Sequence, residues 1–418
     1  MIDRDIYRQL SIVDWDFIER TDLELSAIHW YPGSFAPGLP SVLVELLSEP
    51  GDTVFDPFCG VGTTAVASIL RGRSSISCDV SLIGVMSGLA TTGLISLLLS
   101  NQYLFHGVFD DLRLLIQGID TQNALLTRSL SSGSAVDDHI NSYGGTSLSA
   151  VFKKLFGQPS LENLTRWYHS TTLNELQRLI DSLETARTSQ FCKVVGFTMI
   201  SAIARSLSSE TRSWGHIADN VKPREFVYKD VQRAALSWLQ RTQKRLAELR
   251  RAAAPMLQLP KFEFRLVDWT TNQPSFPMPS AALLITSPPY GGAIDYGLAQ
   301  RLSLYLLGLS DESIAGLVSA EIGARRKRFK PRHVDVWAEE LVNAVGAQVL
   351  MLDIGAYAAF VMPHKDHGRD AGELLLKEVL SQKGWKLEFS ADRSVRQSRT
   401  RQSWTSIKKE TILVFRGG

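Results

Sequence analysis

Four consecutive residues, Ser287-Pro288-Pro289-Tyr290, carry the parts of a grip for an exocyclic amine on a flat ring. Two adjacent prolines end a strand, because neither donates to a ladder and each restricts the residue before it. The apolar run Leu283-Leu284-Ile285-Thr286 therefore reads as a buried strand that stops at Thr286 and delivers a stiff loop. In that loop the Ser287 hydroxyl and the Pro288 carbonyl are acceptors with no partner supplied by regular structure, and Tyr290 adds a face for stacking. The same tetrapeptide in a polar linker would read as a surface turn or a polyproline ligand. The apolar strand directly before it, and a second motif far upstream, weigh against that reading.

The upstream motif is Asp56-Pro57-Phe58-Cys59-Gly60-Val61-Gly62-Thr63-Thr64, which follows a short strand over 53–56 and opens a helix over 63–71. Strand, glycine turn and helix N-terminus form the ligand-binding corner of a doubly wound α/β sheet. Gly60 and Gly62 predict close approach of the backbone to a ligand, and the helix N-terminus offers free amides to a carboxylate. The spacing departs from GxGxxG and no Lys follows as in a phosphate loop, which disfavours NAD and ATP. Some way beyond the glycines, Ser75-Ile76-Ser77-Cys78-Asp79 is a second strand ending in an acid, placed to accept both hydroxyls of a ribose. Before the motif, residues 29–37 form a stiff loop of aromatics and prolines, and 39–47 an amphipathic helix.

Other elements must bring these two motifs together. Over 82–260 the doubly wound pattern gives way to helical stretches and polar loops, read as a largely helical insertion. Within it 173–183 is amphipathic, 191–207 mostly apolar and 231–251 a long basic-faced helix. The loop over 205–224 carries Arg212, Trp214 and Lys222, residue types that suit phosphates and unstacked bases; a solvated connection between two helices is the competing reading. The sheet resumes at 262–268, ending in Asp268, and again at 283–286. A helix over 293–309 precedes Arg325, Arg326, Lys327, Arg328 and Lys330, the densest basic run of the chain, read as a phosphate grip. Helices over 334–353 and 371–383 then alternate with strands over 356–362, 385–390 and 411–416. The chain divides into residues 1–90, carrying the glycine motif; 91–260, the insertion and candidate target-recognition region; and 261–418, carrying the Pro-Pro loop.

With 418 residues, 44% hydrophobic and 21% charged, the chain buries a large core and is sized for one catalytic domain plus an inserted or appended one. Its 45 basic and 43 acidic residues leave a net charge of +2, so a nucleic-acid surface must come from local clustering. Three cysteines without a CxxC pair indicate neither a disulfide framework nor a zinc site, and no metal is expected. No apolar run is expected to reach the length of a membrane span, and the start lacks a basic region followed by an apolar stretch. A cytoplasmic protein with no membrane partner is the expectation.

With these pieces placed, the sequence resembles the S-adenosylmethionine-dependent amino-methyltransferases of DNA, which methylate adenine N6 or cytosine N4. Residues 56–64 are similar to their cofactor loop. Thr286-Ser287-Pro288-Pro289-Tyr290 is similar to the serine form of their catalytic loop, the form of the cytosine-N4 subgroup. The resemblance covers residues 25–90 and 260–416 and leaves out the helical insertion. It implies a Rossmann-like class I methyltransferase sheet, mostly parallel with the last strand antiparallel. It implies S-adenosyl-L-methionine as cofactor, with His29, Tyr31, Phe35 and Pro37 closing over its methionine end. Asp56, Pro57, Phe58, Gly60, Gly62, Thr63 and Thr64 would form the cofactor loop, Asp79 would hold the ribose, and Asp268 would lie near the adenine.

Catalysis would fall to Ser287, Pro288, Pro289 and Tyr290, acting on double-stranded DNA with the target base flipped out and stacked on Tyr290. The expected product is N4-methylcytosine: the serine form of the loop goes with cytosine, and a hydroxyl accepts from the amine while turning its own proton toward cytosine N3. N6-methyladenine is the alternative. RNA and protein-glutamine methyltransferases, whose Pro-Pro-Tyr loop begins with Asn or Asp, stand further off, and a noncatalytic regulator further still. A restriction-modification or defence setting, with a cognate nuclease as partner, is what the resemblance adds.

Overall fold

A computed structural model describes residues 2–17, 25, 28–33, 36, 38–118, 133–144, 161–210, 223–271, 280–292, 295–364, 371–395 and 409–418. Its seven strands are β1 (Thr53–Asp56), β2 (Ser74–Asp79), β3 (Phe262–Leu266), β4 (Ala281–Thr286), β5 (Leu352–His364), β6 (Lys386–Ser394) and β7 (Lys409–Arg416). They form one sheet in the order β3-β2-β1-β4-β5-β7-β6. β1 to β5 pair in parallel, and β7 runs antiparallel to both β5 and β6. The doubly wound, mostly parallel class I sheet with an antiparallel last strand is therefore present. β4 reads as an apolar run because helices cover both faces; its Ala281, Leu283, Leu284 and Ile285 are all fully buried. The strand order reverses between β1 and β4, which opens a crevice beyond their carboxyl ends.

On one face α1 (Arg4–Ile12) and α2 (Gly38–Leu47) bring Leu10, Leu39 and Leu43 onto Val54, Leu283 and Ile285. On the other, α14 (His333–Gln348) and α15 (Ala371–Gln382) bring Trp337, Leu341 and Leu376 onto Phe55, Leu284 and Phe360. The third cluster joins α3 (Thr63–Leu70) and α4 (Leu82–Ser100) to β3 and to the helices that follow. These are α5 (Gln102–Gln117), α6 (Gly133–Gly144), α7 (Leu161–Leu164), α8 (Ser170–Thr185), α9 (Gln190–Leu207) and α10 (Val231–Arg251), after which come α11 (Tyr296–Ala299), α12 (Arg301–Leu306) and α13 (Asp311–Ala320).

Several expectations change here. The boundary drawn at residue 90 falls inside α4, whose residues 82–98 are buried without a break. The helical insertion shares one core with the β2–β3 side of the sheet, since Phe262 and Phe264 of β3 belong to the same cluster as Phe191 and Trp238. The helix expected over 293–309 is two short ones interrupted at Gln300, whose φ of −103° and ψ of 13° leave the helical region. α4 also corrects the reading that no apolar run reaches membrane-span length. It has the length and mean hydropathy of a span, yet 94% of its most apolar window is buried inside the protein, as befits a central core helix.

The glycines of α4 explain how closely it packs. A Cβ on Gly84 would stand 2.8 Å from the Gly60 carbonyl oxygen, and one on Gly88 would stand 2.4 Å from Phe264 Cε1. Gly88→Ala should therefore force Phe264 aside and destabilise the protein by about 1–3 kcal/mol, the usual cost of overpacking. A urea unfolding midpoint equal to that of the wild type would contradict this packing.

Candidate active site

β1 and β4 lie side by side, with Val54 opposite Leu283 and Phe55 opposite Leu284, so the glycine loop and the Ser-Pro-Pro-Tyr loop leave the sheet from adjacent strand ends. A buried hydrogen bond locks them: Thr286 Oγ1 donates to Asp56 Oδ1 at 2.8 Å. The same oxygen accepts from the Phe58 amide at 3.1 Å. Burial pushes the Asp56 carboxyl up to about 7, against the opposing effect of these bonds. Asp56 is thus a tie beneath the cofactor loop and not part of the cleft wall.

Above the tie opens a cleft holding about 750 Å³ of space, its open mouth included. Phe58, Gly60 and Thr63 of the glycine loop line it, as do Asp79 at the end of β2 and Ser287 and Pro289 of the Pro-Pro loop. Gly60 has φ +49°, and a Cβ there would stand 3.1 Å from the Tyr31 ring, so this position keeps the loop low under the cleft. Gly62 behaves differently. Its φ is +81°, and a Cβ there would meet Phe264 at 3.0 Å and Gly88 at 3.1 Å, in the core. The second glycine serves packing between loop, α4 and β3, not ligand approach. Thr64 is buried in α3, and the Pro57 carbonyl accepts from Trp269 Nε1 at 2.8 Å.

Asp79 accepts from the Gly60 amide through Oδ2 and from the Ser81 amide through Oδ1, each at 2.8 Å. The Val80 amide also bears on this carboxyl, which lines the cleft with its remaining acceptor capacity. Burial raises this carboxyl to about 6, opposed by the backbone amides. Tyr31 stacks on Tyr296 with centroids 5.5 Å apart and planes at 19°, forming a second wall. His29 stands behind that wall, its Nε2 2.8 Å from Ser201 Oγ, and burial lowers it to about 4, so it is neutral. It anchors the segment and does not line the cleft. Phe35 and Pro37 lie outside the described residues. Asp268 turns back on its own chain, accepting from the Thr270 amide at 2.8 Å and the Thr270 hydroxyl at 2.6 Å. Its neighbours Val267 and Trp269 line the cleft instead.

Two acids escaped the reading of the sequence. Glu321, beyond α13, is 5% exposed, lines the cleft and caps α11 by accepting from the Gly297 amide at 2.6 Å and the Tyr296 amide at 3.0 Å. Burial pushes it up to about 8, against those bonds. Glu410, at the start of β7, accepts from the Tyr290 hydroxyl at 3.0 Å and from Arg393 at 3.1 Å.

The Pro-Pro loop is held from several sides. Trp337 Nε1 donates to the Pro289 carbonyl at 3.2 Å, and its indole fills the space where Gly291 and Gly323 lack a Cβ. No donor among the described residues reaches the Pro288 carbonyl, which stays available as an acceptor. Ser287 Oγ donates to the Tyr290 oxygen at 2.8 Å and, more weakly, to the Val361 carbonyl at 3.3 Å. Its proton is engaged inside the protein, which corrects the expectation that it turns toward a ring nitrogen. Tyr290 is half-buried with its hydroxyl directed to β5 and β7.

Of the basic residues, Arg212, Trp214 and Lys222 lie outside the described residues. Arg325, Arg326, Lys327, Arg328 and Phe329 form a 3-10 turn just beyond the cleft wall at Glu321. Lys327 is already paired with Glu340 at 2.9 Å, Arg325 is half-buried, and Lys330 is exposed.

A family model described as DNA methylase (N6_N4_Mtase) matches residues 8–82, which hold α1, α2, the glycine loop and β2. The type II methyltransferase M.MjaII of Methanocaldococcus jannaschii is 37% identical over 76 residues, 16% of this chain and 14% of that protein. The chain therefore spans about a seventh of the curated relative that it matches. Among solved structures, TrmN from Thermus thermophilus shares 12% identity, covering 95% of this chain and 52% of that one, with a TM-score of 0.31. The rRNA methyltransferase aviRa from Streptomyces viridochromogenes shares 12%, covering 95% and 94%, with a TM-score of 0.33.

The buried tie sets a pH dependence. A carboxyl raised from 3.8 to about 7 binds its proton in the folded protein while the unfolded chain has released it. Its contribution to stability is complete at low pH and is lost as pH rises from 4 through 7. Asp56→Asn keeps the Oδ1 acceptor and removes the titration, so its unfolding free energy should fall less between pH 4 and 7 than that of the wild type. Equal slopes in paired urea titrations would refute this.

Proposed function

We propose that this chain transfers a methyl group from S-adenosylmethionine to the exocyclic amine of a base in DNA, cytosine N4 in the first instance. The observation that carries the reading is the meeting, across one cleft, of a ribose-type carboxylate at a glycine loop with Ser287, whose neighbour Pro288 keeps a carbonyl that no donor among the described residues reaches. The cofactor fits the residues present. Asp79 lines the cleft as an acceptor for ribose hydroxyls, Trp269 and Val267 offer an apolar slot for a flat ring, and Asp79 with Glu321 favours a cationic ligand over an anionic one. When bound, the cofactor supplies an electrophilic methyl on a sulfonium.

The protein must make a poor nucleophile act. The lone pair of an exocyclic amine is delocalised into its ring. Accepting both amino protons, at Ser287 Oγ and the Pro288 carbonyl, favours a pyramidal nitrogen with its lone pair aimed along the cleft. Alignment and stabilisation of developing positive charge then account for the acceleration. A base inside a duplex does not reach this depth, so the reading includes a flipped nucleotide. Cytosine rests on the serine form of the loop alone, because the Ser287 proton is committed to Tyr290. Adenine N6 is the second reading, favoured by the same two acceptors, and a cognate nuclease belongs to this reading as a partner to seek.

The test is transfer of labelled methyl from S-adenosylmethionine to DNA, RNA or protein offered separately, followed by digestion of the DNA to nucleosides and separation by mass. N4-methylcytosine is expected. N6-methyladenine alone would move the assignment to adenine, and label confined to RNA or protein would overturn the DNA reading. Ser287→Ala should keep its cofactor affinity and lose turnover by about 100- to 1000-fold, the range for one lost transition-state contact.

DNA phosphates would be gripped by the turn at 325–330. Replacing Arg325 and Lys330 with alanine should weaken binding to all sequences alike and lower the salt slope by about one per lost contact. Lys327→Ala should change it less, since Glu340 already neutralises that lysine. An unchanged slope in the double variant would return the turn to a solvated face.

A further inference from the structure

Behind the Pro-Pro loop runs an ordered chain of hydrogen bonds that leaves the cleft and ends on an acid. Ser287 Oγ donates to the Tyr290 oxygen at 2.8 Å, Tyr290 donates to Glu410 Oε1 at 3.0 Å, and Arg393 donates to Glu410 Oε2 at 3.1 Å. Its direction is set from the far end. An ionised carboxylate only accepts, so the Tyr290 proton points to Glu410, the Ser287 proton points to Tyr290, and the Ser287 lone pairs are left facing the cleft. Arg393 stands opposite Glu410 in the β6–β7 ladder, at 7% side-chain exposure against 14%, and favours the charged acid against the burial that opposes it. Among the described residues, the charged and titratable groups facing Glu410 are Arg393 from β6 and Tyr290 from the loop after β4; β5 contributes the Val361 carbonyl to the tyrosine.

We propose that Glu410 is the terminal acceptor of a proton relay, running Ser287–Tyr290–Glu410, that removes the proton the amine must lose on methylation. This rests on the amino-methyltransferase reading of the site. The balance is simple. As the N–CH3 bond forms and the S–CH3 bond breaks, the nitrogen is left with one proton too many. That N–H bond breaks toward Ser287 Oγ, the serine proton moves to the Tyr290 oxygen, and the phenolic proton moves to Glu410, which becomes a neutral acid. The net result is one proton carried from nitrogen to Glu410, with serine and tyrosine restored. Burial supports the assignment by raising Glu410 above the ordinary glutamate value, and by keeping Tyr290 protonated so that it conducts rather than ionises.

Glu410→Gln retains an acceptor for Tyr290 and takes no proton. It should bind S-adenosylmethionine as the wild type does by calorimetry, and lose about a hundredfold in single-turnover methyl transfer, the usual share of positioned acid–base catalysis. The wild-type rate should fall in D2O with a curved proton inventory, and that curvature should be absent from the variant. Asp79 and Glu321 titrate in both proteins, so the difference between the two pH–rate profiles is the readout: the variant should lack a limb in which rate rises with pH. Should Glu410→Gln not fold, Tyr290→Phe removes one oxygen from the middle of the relay and carries the same expectations. A wild-type rate and proton inventory in either variant overturns the relay, and so does a rate loss matched by equal loss of cofactor binding. Label reaching RNA or protein instead of DNA overturns the DNA reading while the same variants decide the relay on that acceptor, and label reaching no acceptor overturns both.

Discussion

The hydrogen bond from Thr286 to Asp56 is the constraint on which the site depends. It joins residues 230 positions apart, at the point where the strand order of the sheet reverses. The glycine loop and Asp79 hang from one side of it, on β1 and β2, and Ser287 and Pro288 from the other, on β4. Because the partners are buried, losing either leaves a desolvated polar group without compensation, which costs more than the bond contributes when made. Loop-closure entropy grows only with the logarithm of length. A long helical segment between β2 and β3 therefore adds little to the cost of bringing β4 back beside β1, and the two loops keep one geometry whatever the insertion carries.

Burial of carboxylates is the second organising fact. Asp56, Asp79, Glu321 and Glu410 all sit where ionisation is disfavoured, and each is held by backbone amides, a hydroxyl or an arginine. Such groups are costly to stability, and their arrangement makes sense as chemistry. Asp79 and Glu321 both face the cleft. Glu410 lies behind the loop and orients the hydroxyls that reach it. The same desolvation that penalises these acids strengthens their interaction with a positive charge arriving in the cleft.

The first half of the sheet was legible because β1 and β2 run to an acid and β4 to a proline pair, and the cofactor loop because strand, glycines and helix follow one another directly. Long-range geometry was not. Glu410 opens a strand with no motif around it, and only the antiparallel register that sets it opposite Arg393 brings it under Tyr290. Glu321 acts on the N-terminus of a helix 24 residues before it. Local spacing likewise assigned both glycines of the loop to the ligand, whereas the direction of the missing Cβ separates Gly60, facing Tyr31, from Gly62, facing Phe264. The boundary at residue 90 falls inside α4, where Gly84, Gly88 and Gly93 let a continuous helix touch loop, strand and α9 closely.

The polarity of the hydrogen-bond chain also limits what the loop can recognise. On the proposed reading, two acceptors, one of them a hydroxyl whose proton is spent on Tyr290, read the presence of an amino group and reject a carbonyl in its place, since two acceptors facing each other leave both unsatisfied. They read nothing of the ring behind the amine, because cytosine and adenine both present N–H donors beside a ring nitrogen. An aspartate in place of Ser287 would serve the same recognition without the relay, being an acceptor on its own account. Serine, neutral and with one proton to pass on, depends on Tyr290 and Glu410 for its direction. The choice between a one-ring and a two-ring base must then be made by the space in front of the loop and by residues that contact the remainder of the ring, while the Ser-Pro-Pro-Tyr segment enforces the chemistry common to both.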